Sequence, residues 1–242
     1  MSEDSNQPHP QGTGRTRRRR GSLTRDAILD AAEAIAAQGF DALSMRAVAG
    51  RLGAAPMALY NHYATKDQLV DALLDRVLSR FEPERPGDDW QEDLRGFARA
   101  HRRLLTAHAW AVAPLFTRPN PGLSSVRIGE HALEILRRGG LFGAVAVAAF
   151  SGIIALNYGW SSFTAARDLD PAGPSHDVGA MLAALPADTF PLTVGIGREM
   201  GAYGSDAHYE FVLEQFLGGL RATTGGVPAT HGDVLTLGAE PG

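Results

Sequence analysis

Hydrophobic side chains recur at intervals of three and four residues along most of the chain, which is the spacing of amphipathic helices. Thr24, Ser44 and Thr65 each precede such a segment, and each is a suitable N-cap residue because its hydroxyl oxygen can accept a free N–H of the first turn. Gly53 is positioned to end the segment that begins at Ser44. A further short helix is predicted to begin near Ala55 or Pro56, since proline is tolerated in a first turn.

The segment 82–89, EPERPGDD, interrupts the helical pattern and divides the chain in two. Beyond it the pattern predicts helices near residues 89–107, 109–116, 123–138, 141–167, 177–185, 189–201 and 206–223. No segment has the period of a strand, so the predicted fold is all-α. Its predicted parts are a disordered basic arm over 1–22, a helical unit over 23–81, a second helical unit over 88–224 and a disordered tail over 225–242.

Composition excludes several classes of protein. Cysteine is absent, so disulfides and thiolate metal sites are excluded. We find no G-x-S-x-G, no H-E-x-x-H and no phosphate-binding glycine loop, and we therefore predict that the protein is not an enzyme. The start of the chain is polar and acidic, unlike a secretory signal, which favours a cytoplasmic protein.

One stretch, residues 141–166, has no charge and is long enough to span a bilayer. It is rich in Ala and Gly rather than Leu, and Ser151, Asn157, Ser161 and Ser162 interrupt it. A helix that is apolar all round can equally lie in a helical core or at a subunit interface. We therefore expect a buried helix and no membrane association.

The short helix, Gly53 turn and short helix together predict a helix-turn-helix, in which the second helix enters the major groove of DNA. Val48, Leu52 and Leu59 would pack inward. The predicted DNA-binding residues are Arg46, Ala55, Pro56, Met57, Tyr60, Asn61, His62 and Lys66. Asn can bind adenine, apolar side chains can contact a thymine methyl group, and Tyr, His and Lys can bind phosphate oxygens. Tyr63 is instead expected to be a core aromatic residue.

The segment RTRRRR, residues 15–20, places five arginines within six residues just before the first helix. It can be a solvated tail, or an arm that follows the minor groove or the backbone of DNA. The sequence leaves both alternatives open.

The residues from LTRDAILDAAEAIAAQGF through VAGRLG and LYNHY to Lys66 and Leu69 resemble the DNA-binding region of the TetR family of bacterial transcriptional regulators. The resemblance implies a three-helix DNA-binding domain over 23–81 and a helical effector-binding and dimerisation domain over 88–224. It also implies a homodimer that binds double-stranded DNA at a palindromic operator and is released by a small molecule. Such a protein is expected to be cytoplasmic and nucleoid-associated. An activator or architectural protein of the same fold, with no effector, is the alternative function.

The second part resembles the core of the tetracycline repressor in LFTRP, residues 115–119, and in FVLEQFLGGLRA near the end of the helical region. Three features depart from that pattern, at four positions. Pro114 stands where a metal-binding histidine would precede the TRP loop, Phe97 and His101 replace drug-contacting residues, and Ala58 replaces a threonine of the recognition helix. We therefore expect neither a magnesium–tetracycline effector nor the same operator.

Dimer contacts are predicted on helices 141–167 and 206–223, where small residues permit close packing. Val145, Phe150, Leu213 and Phe216 would supply the apolar area. The predicted ligand-binding residues are His101, Trp110, Phe116, His131, Asn157 and Trp160, each of which can alternatively be a plain core or surface residue. His101 and His108 lack a third ligand, so no metal and no cofactor are predicted.

Overall fold

The structure is a computed structural model that describes residues 23–118, 122–169 and 178–226. The described residues form helices and no strand, in agreement with the predicted all-α fold. The α-helices are α1 (Arg25–Ala36), α2 (Met45–Leu52), α3 (Pro56–Tyr60), α4 (Lys66–Leu78), α5 (Trp90–Ala107), α6 (Ala109–Thr117), α7 (Leu123–Arg138), α8 (Gly143–Leu169), α9 (Val178–Ala183), α10 (Pro191–Gly195) and α11 (Asp206–Gly226). Two 3₁₀ turns lie at Phe40–Ala42 and Glu199–Ala202.

The predicted helix starts in the first part are confirmed by their caps. The hydroxyl groups of Thr24, Ser44 and Thr65 accept hydrogen bonds from backbone N–H groups in the first turns of α1, α2 and α4, each at 3.1 Å. Gly53 ends α2 with φ 63° and ψ 28°, a left-handed conformation that favours glycine. The stop at Gly53 fixes the short turn between α2 and α3.

The second part is built around α5 and α8, which pack against each other, with α6 and α7 against α8. Helix α4 packs against α1 on one side and against α6 and α7 on the other. The buried apolar side chains of the described residues therefore form one continuous core that runs from α1 to α11. A displacement of α6 or α7 in the second part can therefore move α4, and with it the helices of the first part.

Helix α8 has one face in the core and another face that the protomer leaves uncovered. Ala146, Ala149, Ile153 and Asn157 are buried, whereas Phe142 before the helix and Val147 within it are exposed. The stretch Gly143–Ala165 is long and apolar enough to cross a membrane by length and composition, with a mean hydropathy of 1.4. Of an 18-residue window within it, 28% is buried in the protomer. A partly covered apolar helix of this kind is expected at a subunit interface.

The structure corrects two predictions. Residues 189–201 form α10 and a 3₁₀ turn rather than one helix, because Gly195 and Gly197 weaken the helix and the backbone at Gly197 lies against Ala183 of α9. Leu213, predicted to supply interface area, is fully buried inside the protomer. The predicted arm over 1–22 and residues 227–242 of the predicted tail lie outside the described residues, whereas residues 225–226, predicted as tail, belong to α11.

Candidate DNA-binding surface and ligand cavity

Helices α2 and α3 place a group of small and apolar side chains in solvent. Ala55 is the N-cap of α3 and Pro56 occupies its first turn, where a missing N–H costs nothing. Leu59 is fully buried and holds α3 on the core, whereas Ala55, Pro56 and Met57 are exposed, Met57 by 73%. These three side chains form an exposed, mostly apolar patch at the N-terminal end of α3.

Polar side chains follow at the end of α3 and the start of α4. Tyr60, Asn61 and Lys66 are exposed and His62 is half-buried, while the backbone carbonyl oxygen of His62 accepts a hydrogen bond from Arg25 at 3.2 Å. Arg46 is exposed in the first turn of α2. The chain carries no carboxylate between Gly53 and Lys66. We call the side chains of Arg46, Ala55, Pro56, Met57, Tyr60, Asn61, His62 and Lys66 the α3 surface.

Tyr63 belongs to the core, as the sequence predicted. It is 4% exposed, and burial raises the pKa of its hydroxyl. The guanidinium of Arg25 lies over its ring at 5.3 Å from the centroid. Tyr63 therefore anchors the turn between α3 and α4 to α1 rather than belonging to the α3 surface.

A cavity of about 560 Å³ lies in the second part, within the size range of sites for small ligands. Helix α8 supplies Phe150, Ser151, Ile154, Ala155 and Tyr158, and α7 supplies Ser125, Val126, Ile128, Gly129, Glu130 and Leu133. Leu115 and Phe116 of α6, His101 of α5 and Leu78 of α4 complete the lining. Phe116 is 71% exposed and lies edge-on to Tyr158, which places it at the rim of the cavity.

The cavity has an aromatic wall with a buried imidazole. His101 is 2% exposed, stacks on Phe97 and meets the edge of Tyr158. Burial disfavours the imidazolium ion and lowers the pKa of His101 to about 4. Burial also raises the pKa of the Tyr158 hydroxyl to about 12. Both groups are therefore neutral at physiological pH.

Of the six predicted ligand-binding residues, only His101 and Phe116 line this cavity. Trp110 stacks on Phe40 of the first part, and the indole N–H of Trp160 donates to the carbonyl oxygen of Ser205 at 3.1 Å. His131 borders a neighbouring cavity of about 190 Å³. Asn157 lies behind His101 and contacts its ring rather than lining the cavity.

Sequence reasoning missed most of the cavity wall. Ser151, Ile154 and Tyr158 lie at spacings of three and four residues, so the sequence does indicate that they share one face of α8. Periodicity alone does not say which apolar face of a helix borders a void and which is filled. Leu78 was missed for another reason, because it belongs to a helix assigned to the first part.

Salt bridges at the two ends of α4 connect this region to the end of α6 and to α1. Arg118, which directly follows α6, pairs with Asp71 of α4 at 2.7 Å and also with Asp67 in the first turn of α4. At the other end of α4, Arg80 binds Glu33 of α1 through two hydrogen bonds, which lower the pKa of that carboxyl. Within the ranges that the structure covers, no group of three or more His, Asp or Glu side chains is arranged to hold a metal ion.

Two family models match the two parts of the chain. One, described as "Bacterial regulatory proteins, tetR family", matches residues 28–73. The other, described as "Tetracyclin repressor-like, C-terminal domain", matches residues 82–224. The helix-turn-helix and the helical core thus fall within separate, adjacent matches.

Curated proteins and solved structures agree with these matches. An HTH-type transcriptional regulator of Saccharopolyspora erythraea is 35% identical over 210 residues, covering 84% of this chain and 86% of that protein. The HTH-type transcriptional repressor DrrR1 of Streptomyces coeruleorubidus is 38% identical over 123 residues, covering 50% of this chain and 46% of that protein. The crystal structure of the TetR family protein ActR of Streptomyces coelicolor in complex with actinorhodin superimposes with a TM-score of 0.77 at 29% identity, covering 85% of this chain and all of that one.

The protein is a helix-turn-helix transcriptional regulator. It belongs to the TetR family, and its second part is a tetracycline-repressor-like helical domain.

Proposed function

We propose that the protein is a homodimeric repressor that binds a palindromic operator and is released by a small apolar molecule. The observation that carries this proposal is the position of α4. Its last residue, Leu78, borders the cavity, and its first residue, Lys66, belongs to the α3 surface. The 13 residues of α4 span about 20 Å at 1.5 Å per residue. A single helix therefore links the wall of the cavity to the α3 surface.

The α3 surface has the chemistry of a DNA-binding surface. Ala55, Pro56 and Met57 permit close approach to the major groove, and Asn61 and Tyr60 offer polar groups beside them. The nearest carboxylate, Asp67, is paired with Arg118 and so adds less repulsion against a phosphate. Lys66 is free to contact the DNA backbone, which contributes affinity more than sequence preference.

A homodimer would cover the apolar surface that one protomer leaves in solvent. Val145 and Val147 of α8 and Phe211 of α11 are exposed. Gly152 of α8 lets the ring of Phe216 of α11 lie against the helix backbone, which brings the two helices close together. A twofold pair places two α3 helices about one turn of DNA apart, roughly 34–36 Å, which requires a palindromic operator.

The cavity supplies the effector site of the proposed repressor. A ligand that fits only one position of Leu78 and of Phe116 at the rim would change the position of α4. The coupling free energy between the cavity and the α3 surface would then typically be about 1–3 kcal/mol. The regulators to which the chain is related bind DNA, and we infer for this chain no catalytic activity and a location in the cytoplasm. No observation favours the activator alternative.

The proposal is tested by selecting DNA duplexes from a random pool with the full-length protein and measuring affinity for the selected sequence. We expect a palindrome, and a Tyr60→Ala/Lys66→Ala variant should bind it at least about tenfold more weakly. Arg137→Ala removes one exposed charge from α7 and serves as the matched control, which should bind like the parent. A selected sequence without twofold symmetry, or parental affinity in the double variant, would contradict the proposal.

A further inference from the structure

The inner wall of the cavity contains one side chain whose protonation the surrounding hydrogen bonds decide. His101 is 2% exposed and its Nδ1 lies 3.1 Å from Nδ2 of Asn157. Its stacking on Phe97 and its contacts with Phe81 and Tyr158 hold the ring in place. In its neutral form the ring carries one proton, either on Nδ1 or on Nε2.

The amide of Asn157 can be oriented without ambiguity. Its Nδ2 lies 3.0 Å from the carbonyl oxygen of Ala98, which can only accept a hydrogen bond, so the atom at that position must be the donating nitrogen. On the other side, the hydroxyl of Tyr209 lies 2.8 Å from Oδ1 and donates to it. Burial raises the pKa of Tyr209, which keeps its proton in place. The second hydrogen of Nδ2 therefore points at Nδ1 of His101.

A nitrogen that accepts a hydrogen bond carries no proton, so the neutral ring of His101 carries its proton on Nε2. The imidazolium form is disfavoured twice, because it would set an N–H against the N–H of Asn157 and would place a charge in an apolar site. Nε2 has no hydrogen-bond partner among the residues that the structure describes. His101 lines the cavity, and because Asn157 covers Nδ1, Nε2 is the ring nitrogen that remains available to a ligand.

The other residues that line the cavity determine which charge and polarity a ligand can have. Phe116, Phe150 and Tyr158 provide aromatic surface, and the remaining lining from α4, α6 and α7 is mostly aliphatic. Glu130 is the one charged side chain among the described lining residues, and it is exposed. A charged group at the inner end would be buried without an opposite charge.

We propose that the effector is an uncharged, largely aromatic molecule with a carbonyl-type oxygen that accepts a hydrogen bond from Nε2–H of His101. This inference rests on the proposed role of the cavity as the effector site and adds the chemical class of its ligand. Asn157 and Tyr209 are positioning residues, since they fix the donor without touching the ligand.

The test compares 9-fluorenone with fluorene, two flat molecules of nearly equal shape of which only the first carries a carbonyl oxygen. Binding to the full-length protein is measured by calorimetry for the parent, for His101→Phe and for His131→Phe. The last variant is the matched control, because His131 is a half-buried histidine that packs on Phe97, as His101 does, but does not line this cavity. We expect the parent and the control to prefer fluorenone by about tenfold, and His101→Phe to bind both compounds alike.

His101→Gln, which keeps an N–H donor near the same position, should restore part of the preference. Binding of both compounds by the parent without a preference would overturn this inference and leave the cavity as a ligand site. Binding of neither would overturn both. Nitrogen-15 spectra of the unmodified protein test the donor independently of any variant, and a proton found on Nδ1 of His101 would also overturn the inference.

Discussion

Replacing Tyr209 by Phe removes a single oxygen atom from the centre of the second part. Tyr209 is fully buried, and its hydroxyl donates to Asn157 Oδ1 at 2.8 Å. The ring would keep its contact with Trp160 and its place under the guanidinium of Arg102, at 4.2 Å from the centroid. The variant therefore loses one hydrogen bond and leaves the amide oxygen of Asn157 unsatisfied in an apolar setting. Such a loss costs about 1–3 kcal/mol of unfolding free energy.

The measurement is urea unfolding at one fixed protein concentration, since the stability of a dimer depends on concentration. The midpoint should fall while the slope stays constant, because the surface exposed on unfolding does not change. Tyr60→Phe is the matched control, because it removes an exposed hydroxyl and should leave the midpoint in place. An unchanged midpoint for Tyr209→Phe would refute the hydrogen bond from Tyr209 to Asn157.

Two further predictions concern charge. The pKa of His101 is lowered by burial from its ordinary 6.5 to about 4, so the unfolded chain binds the proton first as the pH falls, and stability is lost below about pH 6.5. From about pH 7 to about pH 5 this loss of unfolding free energy amounts to about 2 kcal/mol per protomer. Urea titrations at both pH values should show it for the parent and not for His101→Phe. For Arg118 and Asp71, a double-mutant cycle to alanine should give a coupling of about 0.5–1 kcal/mol, reduced at high salt because Arg118 is one-third exposed. Additive single effects at low salt would mean that the pair does not hold α6 to α4.

The helix boundaries were predictable from sequence where a single residue decides them. Thr24, Ser44 and Thr65 satisfy N–H groups that no helical carbonyl can reach, and Gly53 adopts a conformation that other residues rarely take. These causes are local, so the sequence displays them directly. The exposure of Tyr60 and the burial of Tyr63 also followed, because Tyr63 lies beyond the last residue of α3, in the turn that joins α3 to α4 beside α1.

The cavity could not be predicted to the same depth. Trp110 was a reasonable candidate for its wall, but the contact that holds it comes from Phe40, which is 70 residues away in sequence. The orientation of Asn157 depends on Ala98 and Tyr209, which belong to two other helices. Periodicity fixes the direction of a side chain about its own helix axis, whereas a cavity depends on how several axes are placed relative to one another.

The continuity of α4 has a quantitative consequence for a regulator that works as proposed. If an effector in the cavity weakens operator binding by some factor, then the operator must weaken effector binding by the same factor. Affinities measured on DNA-free protein would therefore overstate the sensitivity of the operator-bound dimer. The dose of effector that switches the gene would rise with the concentration of the regulator and fall as the regulator itself becomes scarce.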